Sequence, residues 1–139
     1  MLELIHILTA LQIYCKDAHY SFYGVDFKSL HEWADEILDP LQSFIDEIKE
    51  NYFIARGMPV PRGVEINSAS ADYVPTALGD NSQILANLLA IIAMAHNKIN
   101  GIDIGKDAGL NDLLGRIDSH LLHHIALINM ALTQGKRDE

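Results

Sequence analysis

The chain has 139 residues, 49% of them hydrophobic, and a formal net charge of −9; this suffices for one domain whose core needs no staples, and the acidity disfavours a general phosphate-binding surface, because nonspecific nucleic-acid affinity comes from Lys and Arg displacing counterions. The one cysteine, Cys15, excludes an internal disulfide, and no segment joins a basic stretch, a long apolar run and a small-residue cleavage site, so the expected location is cytoplasmic. Apolar stretches such as Ile84 to Met94 are too short to cross a bilayer, and no membrane partner is expected.

The first predicted helix runs from Leu2 to about Tyr23, with Leu4, Ile7, Leu8, Leu11 and Tyr14 at near-helical spacing and Gly24 as its stop. Asp26 is placed to cap a second helix from about Phe27 to Ala55, which ends at Gly57 ahead of Pro59 and Pro61. Residues 57–80, rich in Gly, Pro, Ser and Ala, read as a long crossover with one short helical turn around Ser68 to Tyr73. A third helix is expected from Asn81 or Ser82 to about Ile99, and a fourth from about Leu110 to Thr133 after the Gly-containing segment Asn100 to Gly109. Residues 134–139, in which Lys136 and Arg137 are followed by Asp138 and Glu139, are expected to form a flexible, solvated tail. Four helices with one long connection between the second and third predict an all-α, ferritin-like four-helix bundle over 1–139.

The second helix carries the chemistry. At 100° per residue, Leu30, Trp33, Ala34, Ile37, Leu38, Leu41, Phe44, Ile45 and Ile48 fall on one apolar arc, and His31, Asp35, Asp39, Asp46 and Glu50 gather on an adjacent stripe. His31 with Asp35, and Asp46 with Glu50, are i, i+4 pairs, each able to aim two ligand atoms at one point. Within one chain the pairs cannot meet, since a rise of about 1.5 Å per residue puts His31 and Glu50 roughly 28 Å apart. Two copies packed antiparallel about a two-fold axis near residues 40 and 41 would bring His31 and Asp35 of one to Asp46 and Glu50 of the other, twice over. A row of acids is ordinarily a solvated face; the histidine in register and the matched spacing at both ends distinguish this one. Pro40, mid-helix, removes a backbone donor and is expected to kink the helix or leave a carbonyl to water, at about 3 kcal/mol in an ordinary helix interior.

The segment His19-Tyr20-Ser21-Phe22-Tyr23-Gly24, then Phe27, Leu30-His31-Glu32, Asp35-Glu36, Asp46-Glu47-Ile48 and Gly57-Met58-Pro59, resembles the Dps family of miniature ferritins, densely so over Ala18 to Pro59. The family's spacing H-x11-H-x3-D-x10-D-x3-E is filled by His19, His31, Asp35, Asp46 and Glu50. The resemblance implies a ferroxidase centre in which His19, His31 and Asp35 of one subunit face Asp46 and Glu50 of its two-fold mate. Glu50 is then the bridging or central ligand, Asp46 and His19 complete the tighter position, and His31 with Asp35 form the weaker one, directly or through water. Two imidazoles and three carboxylates suit ferrous iron, with zinc, manganese or cobalt as substitutes. It further implies hydrogen peroxide as oxidant, ferric mineral stored in a hollow dodecamer built from two-fold dimers, and protection against oxidative damage. The family usually has Trp after its first ligand histidine, where Tyr20 stands, and the basic arm of its DNA-binding members is missing. The alternative is a DNA-binding or structural Dps-like oligomer with secondary or vestigial metal chemistry, and DNA binding is not favoured.

Asp103, Asp107 and Asp112 lie where the family places acidic pores, although Asp107 and Asp112 also read as helix-start residues. His6, His96, His120, His123 and His124 are expected to be satisfied core or interface histidines, including the i, i+4 pair His120 and His124. Glu3 and His6 form a single Glu-x-x-His, too few for a di-iron centre inside one bundle. Cys15 is expected to be a small buried residue.

Overall fold

The structure, a computed structural model, describes the backbone of residues 1–137 and the side chains of residues 1–133. Helix α1 (Leu2–Ser21) is buried over a wide arc, including Leu4, Ile5, Leu8, Leu11, Tyr14, Cys15 and Ala18. It needs that breadth because it packs on the second bundle helix, the crossover and the third bundle helix at once. It stops two residues earlier than expected: Phe22 turns extended at φ −61° and ψ 148°, and Gly24 at φ 86° reverses the chain with a conformation that a Cβ disfavours.

The second bundle helix comes in three pieces, α2 (Phe27–Leu38), α3 (Leu41–Ile48) and a π-helical turn over Lys49–Ile54. Asp26 precedes it without a side-chain cap; its carbonyl instead accepts from Leu30 N–H at 3.0 Å and from Ser29 Oγ at 3.1 Å. The interruption at Asp39 and Pro40 is mild, since Pro40 keeps φ −83° and ψ −8° and the bonds Asp39 N to Asp35 O and Phe44 N to Pro40 O survive. The apolar arc lies against the core as expected, with Ala34, Ile37, Leu41, Ile45 and Ile48 buried and Leu30, Trp33, Leu38 and Phe44 packed at its margin. Past Glu50 the ladder widens: Ala55 N–H reaches Glu50 O and Met58 N–H reaches Phe53 O, each five residues back, before Gly57 at φ 70° ends the run.

The crossover holds more helix than expected. In place of one turn at 68–73 it forms α4 (Gly63–Ser70), followed by a 3-10 turn over Ala71–Tyr73. Ile66 is the one large side chain that α4 buries, so its sequence shows little apolar periodicity. Helix α5 (Asn81–Asn100) begins where predicted, but its cap is Asp80, whose carboxylate accepts from Gln83 N–H at 2.8 Å. Asp80→Ala is therefore expected to cost about 1 kcal/mol, read as a lower urea midpoint at unchanged m-value. Helix α6 (Ala108–Arg137) starts two residues before Leu110 because Asp107 caps it, accepting from Leu110 N–H at 3.1 Å. Helix continues through Arg137 of the tail expected at 134–139; Asp138 and Glu139, and the side chains from 134 on, lie outside the described residues.

Cross-helix pairs fix an up-down-down-up order. Tyr23 and Asn81 exchange two hydrogen bonds, joining the end of α1 to the start of α5, and Lys98 pairs with Glu3 at the opposite end. His96 with Asp118 sets α5 antiparallel to α6, and Arg116 with Glu47 sets α6 antiparallel to α3. The second bundle helix and α5 thus run the same way, which requires the long crossover. Asn87 fastens that crossover, donating to the buried Tyr14 hydroxyl at 2.7 Å and to the Ala77 carbonyl at 3.1 Å. The fold is the predicted all-α four-helix bundle. No helix among the described residues is long and apolar enough to cross a membrane.

Candidate metal centre

His19 closes the last turn of α1 and His31 and Asp35 lie on α2, so the α1–α2 packing decides whether they meet. They do. His31 Nδ1 is 2.7 Å from the His19 carbonyl oxygen, an atom that only accepts, so Nδ1 carries the proton and the neutral ring keeps its lone pair on Nε2. His19 Nδ1 is 2.9 Å from Asp35 Oδ1 and 3.3 Å from the His31 carbonyl, again two acceptors, which leaves the lone pair of the neutral ring on Nε2. The two imidazoles stack with centroids 3.5 Å apart and planes at 30°. A metal site commonly has this form: a second nitrogen held by a carbonyl or carboxylate fixes tautomer and ring direction. Asp35 accordingly orients His19 through Oδ1, and Oδ2 is left without a partner among the described residues.

Asp46 and Glu50 are exposed beyond the Pro40 interruption and touch none of these three residues. Asp46 is nevertheless oriented. Gln12 on α1 donates to Gln42 Oε1 at 3.0 Å, and Gln42 donates to Asp46 Oδ1 at 2.9 Å. Neither glutamine stands out in the sequence, since Gln is a common residue on a helix surface; only the α1–α3 contact reveals the chain of bonds. Glu50 lies at the entry to the π-helical turn, a backbone irregularity frequent at functional sites. Asp39, the remaining member of the stripe, falls in the interruption itself. Among the described residues no group of three or more His, Cys, Asp or Glu is arranged to hold a metal within one protomer. The five motif residues therefore form two oriented half-sets in each chain, one with three members and one with two.

Of the five other histidines, His96, His120 and His124 are satisfied, as expected, whereas among the described residues His6 and His123 make no side-chain hydrogen bond and His123 is exposed. His120 Nε2 donates to the Ile37 carbonyl at 2.9 Å, and Trp33 Nε1 donates to His124 Nδ1 at 3.0 Å. Burial pushes the pKa of His120 down, and lowers that of His124 to about 4, helped by the neighbouring His120 and His123. His96 Nδ1 donates to Asp118 Oδ1 at 2.6 Å, and Asn100 Nδ2 donates to the His96 carbonyl at 2.9 Å. Cys15 is fully buried, and burial raises its thiol pKa far above the ordinary range. The three aspartates placed near an entry route each have a local partner: Asp103 takes Gly105 N–H, Asp107 caps α6 and Asp112 binds Arg116. The helix-start reading of Asp107 thus accounts for its carboxylate.

No family model matches the sequence, and no curated protein matches it. Among solved structures the chain is similar to the X-ray structure of Dps from Thermosynechococcus elongatus, with a TM-score of 0.78 and 19% identity over 93% of this chain and 85% of that one. At that identity the likeness establishes a Dps-like, ferritin-like fold.

Proposed function

We propose that the protein is an iron-sequestering ferroxidase that oxidises Fe(II), with hydrogen peroxide as oxidant, at a centre shared between two subunits, and stores the ferric product inside a hollow homo-oligomer. One observation carries the reading: the motif residues occur as two separate half-sets on one interrupted helix and its α1 neighbour, and among the described residues neither half-set is arranged to hold a metal alone. A second subunit packed antiparallel supplies the missing half. The Dps-like fold supports the same arrangement.

On this reading the substrate is ferrous iron, bound by His19, His31 and Asp35 of one subunit with Asp46 and Glu50 of the other. Glu50 bridges, Asp46 and the His19 Nε2 complete the tighter position, and His31 Nε2 with Asp35 Oδ2 form the weaker one. Asp35 fits the weaker role because one of its oxygens already orients His19. Two ferrous ions, one hydrogen peroxide and two protons give two ferric ions and two waters, so paired one-electron oxidations consume the peroxide without releasing a hydroxyl radical. Zinc or manganese would compete for the same mixed nitrogen and oxygen set.

The test is anaerobic Fe(II) loading followed by peroxide addition, with native mass measured on the same sample. Wild-type protein is expected to be an even-numbered assembly, up to a dodecamer, that oxidises iron at once. The double variant Asp46→Asn/Glu50→Gln is expected to assemble equally well and lose at least about a hundredfold in rate, since even outer partners of metal ligands cost 10–100-fold. An unchanged rate, or a lone protomer that oxidises iron at full speed, would remove the proposed centre.

A further inference from the structure

Pro40 should leave orphan backbone groups where α2 gives way to α3, because it lacks an N–H and its ring displaces the preceding turn. The Ile37 carbonyl, three residues before Pro40, lies at this break and accepts from His120 Nε2, which reaches across from α6 at 2.9 Å. The same imidazole lies against the Phe44 ring with centroids 5.9 Å apart, so one side chain touches the helix on both sides of the break.

His120 is the middle member of a series. Arg116, His120 and His124 recur every four residues and so share one face of α6. Arg116 makes two bonds to the Glu47 carboxylate at 3.1 and 3.3 Å, beyond the break. His124 receives Trp33 Nε1–H at 3.0 Å, before it. Glu47 adjoins Asp46, and Trp33 stands between His31 and Asp35. Each grip point therefore neighbours one of the two half-sets.

We infer that Arg116, His120 and His124 form a splint on α6 that spans the Pro40 break and sets the angle between the two half-sets of a chain, with His120 as the positioning residue at its centre. The inference rests on the shared-centre reading above and names how each subunit presents its halves to the other. A break held at one angle makes both symmetry-related sites fit together; a free hinge would let them drift apart.

Co(II) alone, titrated into the assembled protein and followed by its visible absorption, tests this without requiring turnover. In wild type the Co(II) spectrum is expected to depend on Glu50, vanishing in Glu50→Gln. His120→Leu, which keeps bulk and removes the donor, is expected to weaken Co(II) binding about tenfold and to shift the spectrum, the scale of a lost outer partner. His120→Gln places an N–H near the position of Nε2 and is expected to recover binding to within about threefold of wild type. In a Pro40→Ala background the residue at position 40 regains an N–H for the Glu36 carbonyl, the break no longer needs bridging, and the same His120→Leu change is expected to alter binding by less than about twofold. A Glu50-dependent signal that His120→Leu leaves untouched, or a His120→Leu effect just as large beside Pro40→Ala, overturns the splint and leaves the shared centre standing. Wild type without any Glu50-dependent Co(II) signal overturns both. Should His120→Leu fail to assemble, Pro40→Ala/His120→Leu decides: assembly restored supports the splint, and continued failure refutes it.

Discussion

Co-expression of two inactive variants is expected to yield active protein. One variant carries His31→Ala with Asp35→Asn, the other Asp46→Asn with Glu50→Gln, and each alone lacks one half of every site. In a mixed dimer one of the two centres combines the intact histidine half of one chain with the intact carboxylate half of the other. Random pairing makes half the dimers mixed, so about a quarter of all centres are complete and Fe(II) oxidation by peroxide should return to about a quarter of the wild-type rate. A centre contained within one chain has no such rescue, because neither variant owns a full set. Mixed assemblies that stay inactive, with native mass confirming co-assembly, would rule out a site shared across a two-fold.

Acidification is expected to weaken the bundle through His124. This imidazole is 3% exposed, its Nδ1 accepts from Trp33, and burial lowers its pKa from the ordinary value of 6.5 to about 4. The neutral form is thus favoured in the folded chain, and the unfolded chain binds the proton more readily between those two values. Stability contributed by the neutral ring is fully present above pH 6.5 and is lost as pH falls through about 4. His120, whose pKa is also lowered by burial, acts in the same direction. Wild type should lose on the order of 3 kcal/mol per chain more than His124→Gln over that interval, measured as urea unfolding at fixed protein concentration. The glutamine keeps an acceptor for Trp33 without a titrating proton, so equal losses in the two proteins would show that His124 does not carry the effect.

Legibility followed the range of the interaction. The stripe of His31, Asp35, Asp46 and Glu50 and the buried arc from Ala34 to Ile48 could be read directly, because helical periodicity is a local property of the chain. The long crossover was equally plain from its Gly and Pro content. Helix α4 was mostly missed, since a short helix that buries only Ile66 as a large side chain leaves no pattern. The start of α5 at Asn81 was read correctly, while its cap, Asp80, with extended backbone and a carboxylate on Gln83 N–H, emerged only from the structure. Pro40 announced a break, yet nothing near it in sequence names its remedy: His120 is 83 positions from Ile37. The Gln12 bond that braces Gln42 beside Asp46 was invisible for the same reason. The motif stripe on the second bundle helix is a matter of local spacing, whereas Gln12 and His120 act on that helix from α1 and α6.

The sole sulfhydryl lies on α1 at zero exposure and favours its protonated form. A maleimide in solvent can reach it only when the helices part, so the labelling rate reports opening of the bundle around α1. The chain thereby carries its own breathing gauge, usable in native buffer with no added dye and no substitution.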